Sequence, residues 1–230
     1  MKIEMIVLGF VLMLLCAGLV ALFMMAFYRK QFKQALLFKG LSSLCFVIFA
    51  FAVFLTCEFS WIRLILLVGL CFGIVGDEVL ALCQIYPSHD NQHFIGGGVF
   101  FIVGHIAYIA SMLLMGGPNW IALAIVFAVL VLLSILYESR RKYLSVEIKN
   151  SLKLYISIVI LFASVGIATF LKQGAIGTAL LALGGILFVV SDNILFAFKC
   201  GARPRYLQNV VLHVAYYLAQ FLIAWSIALI

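Results

Sequence analysis

Charge is what this sequence has least of. Only 10% of its 230 residues are Asp, Glu, Lys or Arg, and just 8 are acidic. Apolar residues make up 67%, against roughly 45–50% in a water-soluble domain, so a soluble globule is excluded. No basic domain stands apart from short connecting segments, so the net charge of +7 offers no surface for nucleic acid. The six cysteines, Cys16, Cys45, Cys57, Cys71, Cys83 and Cys200, form no Cys-x-x-Cys pair. They lie within or at the ends of apolar runs, where small apolar thiols are the simpler reading. No apolar run is obviously broken in its middle, which weighs against a transporter built on interrupted helices.

What fills the chain instead is a series of apolar runs long enough to cross a bilayer at about 1.5 Å per residue. They fall near Met5–Phe27, Leu36–Leu55, Leu64–Ile85, Phe94–Met115, Ile121–Tyr137, Leu154–Leu171, Ala175–Phe198 and Val210–Ile230. The sequence therefore predicts an all-α integral membrane protein of eight transmembrane helices, one membrane domain over residues 1–230, in the cell membrane. The first run exceeds the length of a signal-peptide core and its basic cluster follows it, so it reads as a retained span.

The few charges test this count, because short cytoplasmic loops collect Lys and Arg. Loops after odd-numbered spans hold Arg29, Lys30, Lys33 and Lys39, then Arg140, Arg141, Lys142, Lys149 and Lys153, then Lys199, Arg203 and Arg205. The other side holds Lys2, Arg63 and Lys172. That asymmetry places both termini outside. The long basic loop Glu138–Lys153 is expected to meet anionic lipids, and Lys39 is expected to snorkel to the interface as an anchor, with contact to a substrate phosphate as the second option. Ser42 and Ser43 are expected to bond back to their own helix.

Against this background three acids stand out. Asp77 and Glu78 sit within the third run, and Asp192 within the seventh. An acid at mid-span costs about 2.5–3.5 kcal/mol on insertion scales, so such residues are expected to have a task. Their settings repeat: Val75-Gly76-Asp77-Glu78-Val79-Leu80 is echoed by Val190-Ser191-Asp192-Asn193-Ile194-Leu195, and Gly104-His105-Ile106-Ala107-Tyr108 by Leu212-His213-Val214-Ala215-Tyr216. Lys39 precedes Asp77 by 38 residues and Lys153 precedes Asp192 by 39. This order predicts a 4+4 parallel duplication, with halves of about 1–117 and 118–230 related by a pseudo-two-fold axis along the membrane normal.

Helical periodicity turns these positions toward protein. Gly69, Gly73 and Asp77 share one stripe at i, i+4 and i+8, and the two glycines permit close helix approach. Gly97, Phe101 and His105 form another stripe, with Tyr108 one turn on. His213, Tyr216, Tyr217 and Gln220 make a polar stripe that lipid cannot cover. Span five shows no chemistry, and span six opens with Lys153 and Tyr155 and is otherwise bland. His89 and His93 have a spacing that suits a metal, but a solvated turn is the better reading of that loop.

Two carboxyl groups in one low-dielectric cavity cannot both ionise cheaply, so one is expected to keep its proton while the other stays charged. Asp77, Asp192 and His105 are accordingly the candidate catalytic residues. Candidates for substrate binding are Glu78, Tyr108, Asn193, His213, Tyr216, Tyr217, Gln220, Lys39 and Lys199. No metal and no cofactor is required.

The run Gly76-Asp77, then Phe94-x-x-Gly97-x-x-x-Phe101-x-x-x-His105-x-x-Tyr108, then Phe188-x-x-Ser191-Asp192, then Tyr216-Tyr217-x-Ala219-Gln220, resembles the YhhN or lysoplasmalogenase family of multi-span membrane proteins. The resemblance covers most of the chain in order. It implies hydrolysis of the vinyl ether bond of lysoplasmalogens to a fatty aldehyde and glycerophosphoethanolamine or glycerophosphocholine, with Asp77 and Asp192 as the catalytic pair and a lysophospholipid in the bilayer as partner. Asp77→Asn and Asp192→Asn are each expected to abolish turnover and to leave expression intact.

Three other functions compete. A proton-coupled transporter or lipid flippase would relay protons through the same Asp pair. A metal hydrolase would use His105, His213, Asp77 and Asp192 as ligands. A structural protein would use the aspartates only to bond the tyrosines.

Overall fold

The protein is described from a computed structural model, which covers residues 3–138, 146–200 and 205–230. Every element among them is helical: α1 (Ile3–Tyr28), α2 (Phe32–Thr56), α3 (Trp61–Ile85), a single 3-10 turn (Pro87–His89), α4 (Asp90–Leu114), α5 (Trp120–Glu138), α6 (Val146–Gln173), α7 (Ile176–Lys199) and α8 (Tyr206–Ser226). Lys2, Arg140, Arg141, Lys142 and Arg203 lie outside the described residues, as does much of the loop expected to meet anionic lipids.

Seven of the described helices are long and apolar enough to cross a membrane. The eighth, α5, is apolar over the shorter stretch Trp120–Leu136. Apolar side chains ring the outside, because in lipid they need no cover while backbone polar groups do. α1 and α5 are the clearest case: Phe10, Leu14, Ile125 and Leu132 are all exposed.

The helix neighbours follow a pattern. α1 packs on α2, α2 on α3, α3 on α4 and α4 on α6, while α5 packs on α6, α6 on α7, α7 on α8 and α8 on α2. Adding four to each helix number, and counting on from α8 to α1, turns the first set into the second. α3 touches α8 as well.

Small residues set the closest approaches. A Cβ on Gly104 would lie 3.0 Å from the Gly69 carbonyl oxygen, and one on Gly97 would lie 3.1 Å from that of Gly76. α3 and α4 therefore meet backbone to backbone, the geometry that small-residue stripes allow. α6 and α7 do the same, since a Cβ on Gly185 would lie 2.7 Å from the Cα of Ala163. The stripes read from periodicity face inward as expected: Gly69, Gly73 and Asp77 are buried on α3, Gly97, Phe101, His105 and Tyr108 on α4, and His213, Tyr216, Tyr217 and Gln220 on α8.

Candidate active site

Asp77 is buried between three helices. Lys39 and Ser43, one turn apart on α2, both reach it: Lys39 Nζ stands 3.1 Å from Oδ1, and Ser43 Oγ donates to Oδ2 at 2.6 Å. From α8 the Tyr216 hydroxyl donates to the same Oδ2 at 2.6 Å. Asp77 thus receives an ammonium and two hydroxyl donors, charge-assisted contacts of the stronger kind.

The donors are themselves held. Gln220 Nε2 donates to the Tyr216 oxygen at 2.9 Å, and the Tyr108 hydroxyl donates to Gln220 Oε1 at 3.3 Å. Tyr217 lies behind Ser43, its hydroxyl 3.4 Å from Ser43 Oγ and 3.4 Å from the Lys39 carbonyl oxygen. Gly73 leaves the room for this chain, because a Cβ there would lie 2.6 Å from Gln220 Nε2.

Asp192 has different company. The Tyr155 hydroxyl, from α6, donates to Oδ2 at 3.0 Å, and the neighbouring Ser191 Oγ donates to Oδ1 at 3.2 Å. Among the described residues no cation pairs with it. Lys153, two residues before Tyr155 and at the sequence position that corresponds to Lys39, is exposed instead. Among the described residues Asp192 is therefore held by hydroxyl donors alone.

Both aspartates line one cavity of about 400 Å³. Its wall near them is polar, with Lys39, Ser191, His213 and Tyr216. Toward the end of the bundle that carries the basic loops, Phe27, Phe94, Phe198, Lys199 and Asn209 line it. That end bears the second ion pair, Lys199 with Asp90, which joins the end of α7 to the start of α4. The cavity is thus apolar along most of its sides with a few converging charged groups, the usual character of a small-molecule site.

One comparison with known proteins gives a match. The model of the YhhN family matches residues 34–227, from α2 to the end of α8. The chain belongs to the YhhN family. The YhhN match includes every residue bonded to either aspartate. No curated protein and no solved structure matches the chain.

Several expected site residues stand away from the cavity of this YhhN protein. His105 is enclosed by the rings of Tyr108, Tyr155, Phe162 and Phe188 at centroid distances of 4.8–6.0 Å. Its Nδ1 bonds to the Phe101 carbonyl oxygen at 2.7 Å, while Nε2 has no hydrogen-bond partner. Glu78, rotated about 100° from Asp77 on the helix, faces α2, where a side chain at Gly40 would collide with its carboxyl group. Asn193 Nδ2 donates to the Val189 carbonyl oxygen on its own helix at 2.7 Å. Tyr108, Tyr217 and Gln220 support the residues that line the cavity rather than line it themselves.

Two expectations are corrected. Lys39 is not an interfacial anchor. It is buried and paired, because an inward turn gives its charge a counter-ion that lipid cannot supply. Ser42 does bond back to its helix, donating to the Phe38 carbonyl oxygen at 2.7 Å, but Ser43 donates to Asp77. Tyr155 is the partner that sequence reasoning passed over. The signal was a tyrosine near the buried face of a span otherwise poor in polar groups. Among the described residues no group of three His, Cys, Asp or Glu is placed to hold a metal ion.

Proposed function

We propose that this YhhN protein is a hydrolase of the cell membrane that cleaves the vinyl ether bond of lysoplasmalogens. The observation that carries the reading is the shared cavity with its two unlike aspartates, one compensated by a lysine and one not. Vinyl ether hydrolysis needs such a division, because one group must give a proton to carbon while another bears with a cation.

Asp192 supplies the proton. The π pair of the vinyl ether forms the new bond to hydrogen at the β-carbon, and positive charge spreads over the α-carbon and the ether oxygen. Asp77, fixed as a carboxylate by Lys39, Ser43 and Tyr216, provides the constant negative charge beside that oxocarbenium ion, as one carboxylate of a glycosidase pair does. Water adds to the α-carbon and its proton passes to the Asp192 carboxylate, restoring the acid. The hemiacetal then collapses to a fatty aldehyde and the glycerophospho alcohol. The returning proton goes to Asp192, the group that gave it, while Asp77 keeps its three donors.

In this reading the basic loops face the cytoplasm, both termini lie outside, and the cavity opens toward the cytoplasmic leaflet. We read the halves 1–117 and 118–230 as copies of one four-helix unit, and the recurring set of helix neighbours supports that.

The test is aldehyde release by purified protein from vinyl ether, alkyl ether and acyl lysolipids side by side, in detergent and without any gradient. Aldehyde from the vinyl ether lipid alone is the expected result. Release of none, together with proton-coupled lipid movement in liposomes, would replace the hydrolase by a transporter.

A further inference from the structure

The cavity holds two ion pairs at two depths. The Lys39–Asp77 pair is sealed, with side-chain exposures of 9% and 3%. The Lys199–Asp90 pair stands at the mouth, where Asp90 is 44% exposed and Lys199 12%. An ion pair with one half-exposed partner typically adds little to stability. Yet both of its members line the cavity.

Their distance from the aspartates can be read along the helices. Gly97 packs against the Gly76 carbonyl and Leu80, level with Asp77, and Asp90 precedes Gly97 on α4 by seven residues. Lys199 follows Asp192 on α7 by seven residues. Each charge therefore sits about 10 Å along its helix from the level of the acids, on the side of the basic loops. An extended glycerophospho head group carries its phosphate and terminal amine over a comparable span from the ether oxygen.

We propose that Lys199 and Asp90 form the recognition site for a zwitterionic phospholipid head group, Lys199 taking the phosphate and Asp90 the ammonium. This rests on the hydrolase reading and adds to it what selects the substrate. Head group and ion pair each carry one charge of each sign, so docking exchanges one pair of partners for two charge-assisted contacts and leaves no charge unmatched. The Phe94 ring, with Lys199 Nζ now 4.7 Å from its centroid, presents a π face to the incoming ammonium when Lys199 turns to the phosphate. A lipid with a phosphoglycerol head would leave Asp90 without a cation.

The experiment uses full-length wild type, Asp90→Asn and Lys199→Gln, each assayed on 1-alkenyl lysolipids of one chain length. The three substrates carry phosphoethanolamine, phosphoglycerol or no phosphate. Asp90→Asn is expected to raise KM for the phosphoethanolamine lipid about tenfold, the loss of one contact to a charged group, and to lower KM for the phosphoglycerol lipid. Lys199→Gln is expected to raise KM for both phosphate-bearing lipids and to spare the 1-alkenylglycerol. A purely structural role would move all three substrates together, and that outcome, or no change in either variant, overturns the proposal. Should wild type release no aldehyde at all, the hydrolase reading fails by itself. Equilibrium binding of acyl lysophosphatidylethanolamine and lysophosphatidylglycerol to the same three proteins then decides the head-group site, opposite shifts in Asp90→Asn supporting it and parallel or absent shifts refuting it.

Discussion

Asp77 and Asp192 occupy matching places in two similar sequence phrases, but their surroundings differ by one charge. Asp77 has Lys39 at 3.1 Å and two hydroxyl donors on the other oxygen. Asp192 has Tyr155 at 3.0 Å and Ser191 at 3.2 Å. The cation comes from α2, where α6 offers Asp192 a tyrosine instead, and α8 adds the Tyr216 hydroxyl to Asp77. The proposed chemistry gives one residue type two roles, and the neighbours are what tell the two residues apart. The difference also separates what the two residues do for the fold, because only Asp77 has a buried cation depending on it.

The comparison is broken most severely at the acids themselves. Asp192→Asn removes the proton donor and should lower aldehyde release by about 10²–10⁴-fold, the usual contribution of a general acid, while thermal melting in detergent stays near wild type. Asp77→Asn should be as inactive in the same assay. It should also lose about 3–5 kcal/mol of stability, because Lys39 is left as an unpaired buried charge. Equal melting temperatures for the two variants would mean that the Lys39 pair is not what distinguishes the sites. Expression is therefore still expected to stay intact for Asp192→Asn, whereas for Asp77→Asn a loss is now expected.

A smaller effect sharpens the contrast from the other side. Lys39→Met alone should destabilise the protein by a similar ~3–5 kcal/mol. The double variant with Asp77→Asn should recover much of that loss without recovering turnover. Thermal unfolding of the four proteins forms a double-mutant cycle, and additive losses would show that the two residues do not interact.

Hydroxyl deletions give the next tier. Tyr155→Phe removes the one bond Asp192 receives from another helix and should reduce kcat about tenfold, whereas Tyr216→Phe leaves Asp77 with Lys39 and Ser43 and should cost less, each lost bond being worth about 1 kcal/mol in stability. Steady-state kinetics on the vinyl ether lysolipid compare them, and a larger loss in Tyr216→Phe would reverse the assignment of roles. Smallest of all, His105→Phe keeps the aromatic packing and removes an orphaned nitrogen, so turnover near wild type is expected. A large loss would return His105 to the catalytic set.

Much of the site was legible before any coordinates. The acids of α3 and α7 declare themselves because a carboxyl group in an apolar run is costly and rare, and the stripe His213, Tyr216, Tyr217 and Gln220 follows from helical periodicity alone. Lys39 was harder. A lysine three residues into an apolar run reads as an interfacial anchor from its position, and whether it turns outward or inward depends on the rotation of α2 against α3. Tyr155 was hidden for the same reason, as a single polar residue whose partner lies 37 residues away. His105 misled in the opposite direction: periodicity put it on the buried face with the other polar groups, but the rings of Tyr155, Phe162 and Phe188 stand around it.

By itself, then, the amino-acid order determined that this chain is built of apolar helices suited to a bilayer, and which polar stripes turn inward. Those follow from transfer free energy and from the 3.6-residue turn, both properties of single helices. Only the tertiary structure decided which cation meets which acid, which tyrosine holds the other, and which buried histidine is walled off. Those outcomes depend on the relative rotation and depth of helices whose backbones meet at glycines, a quantity that no one helix encodes.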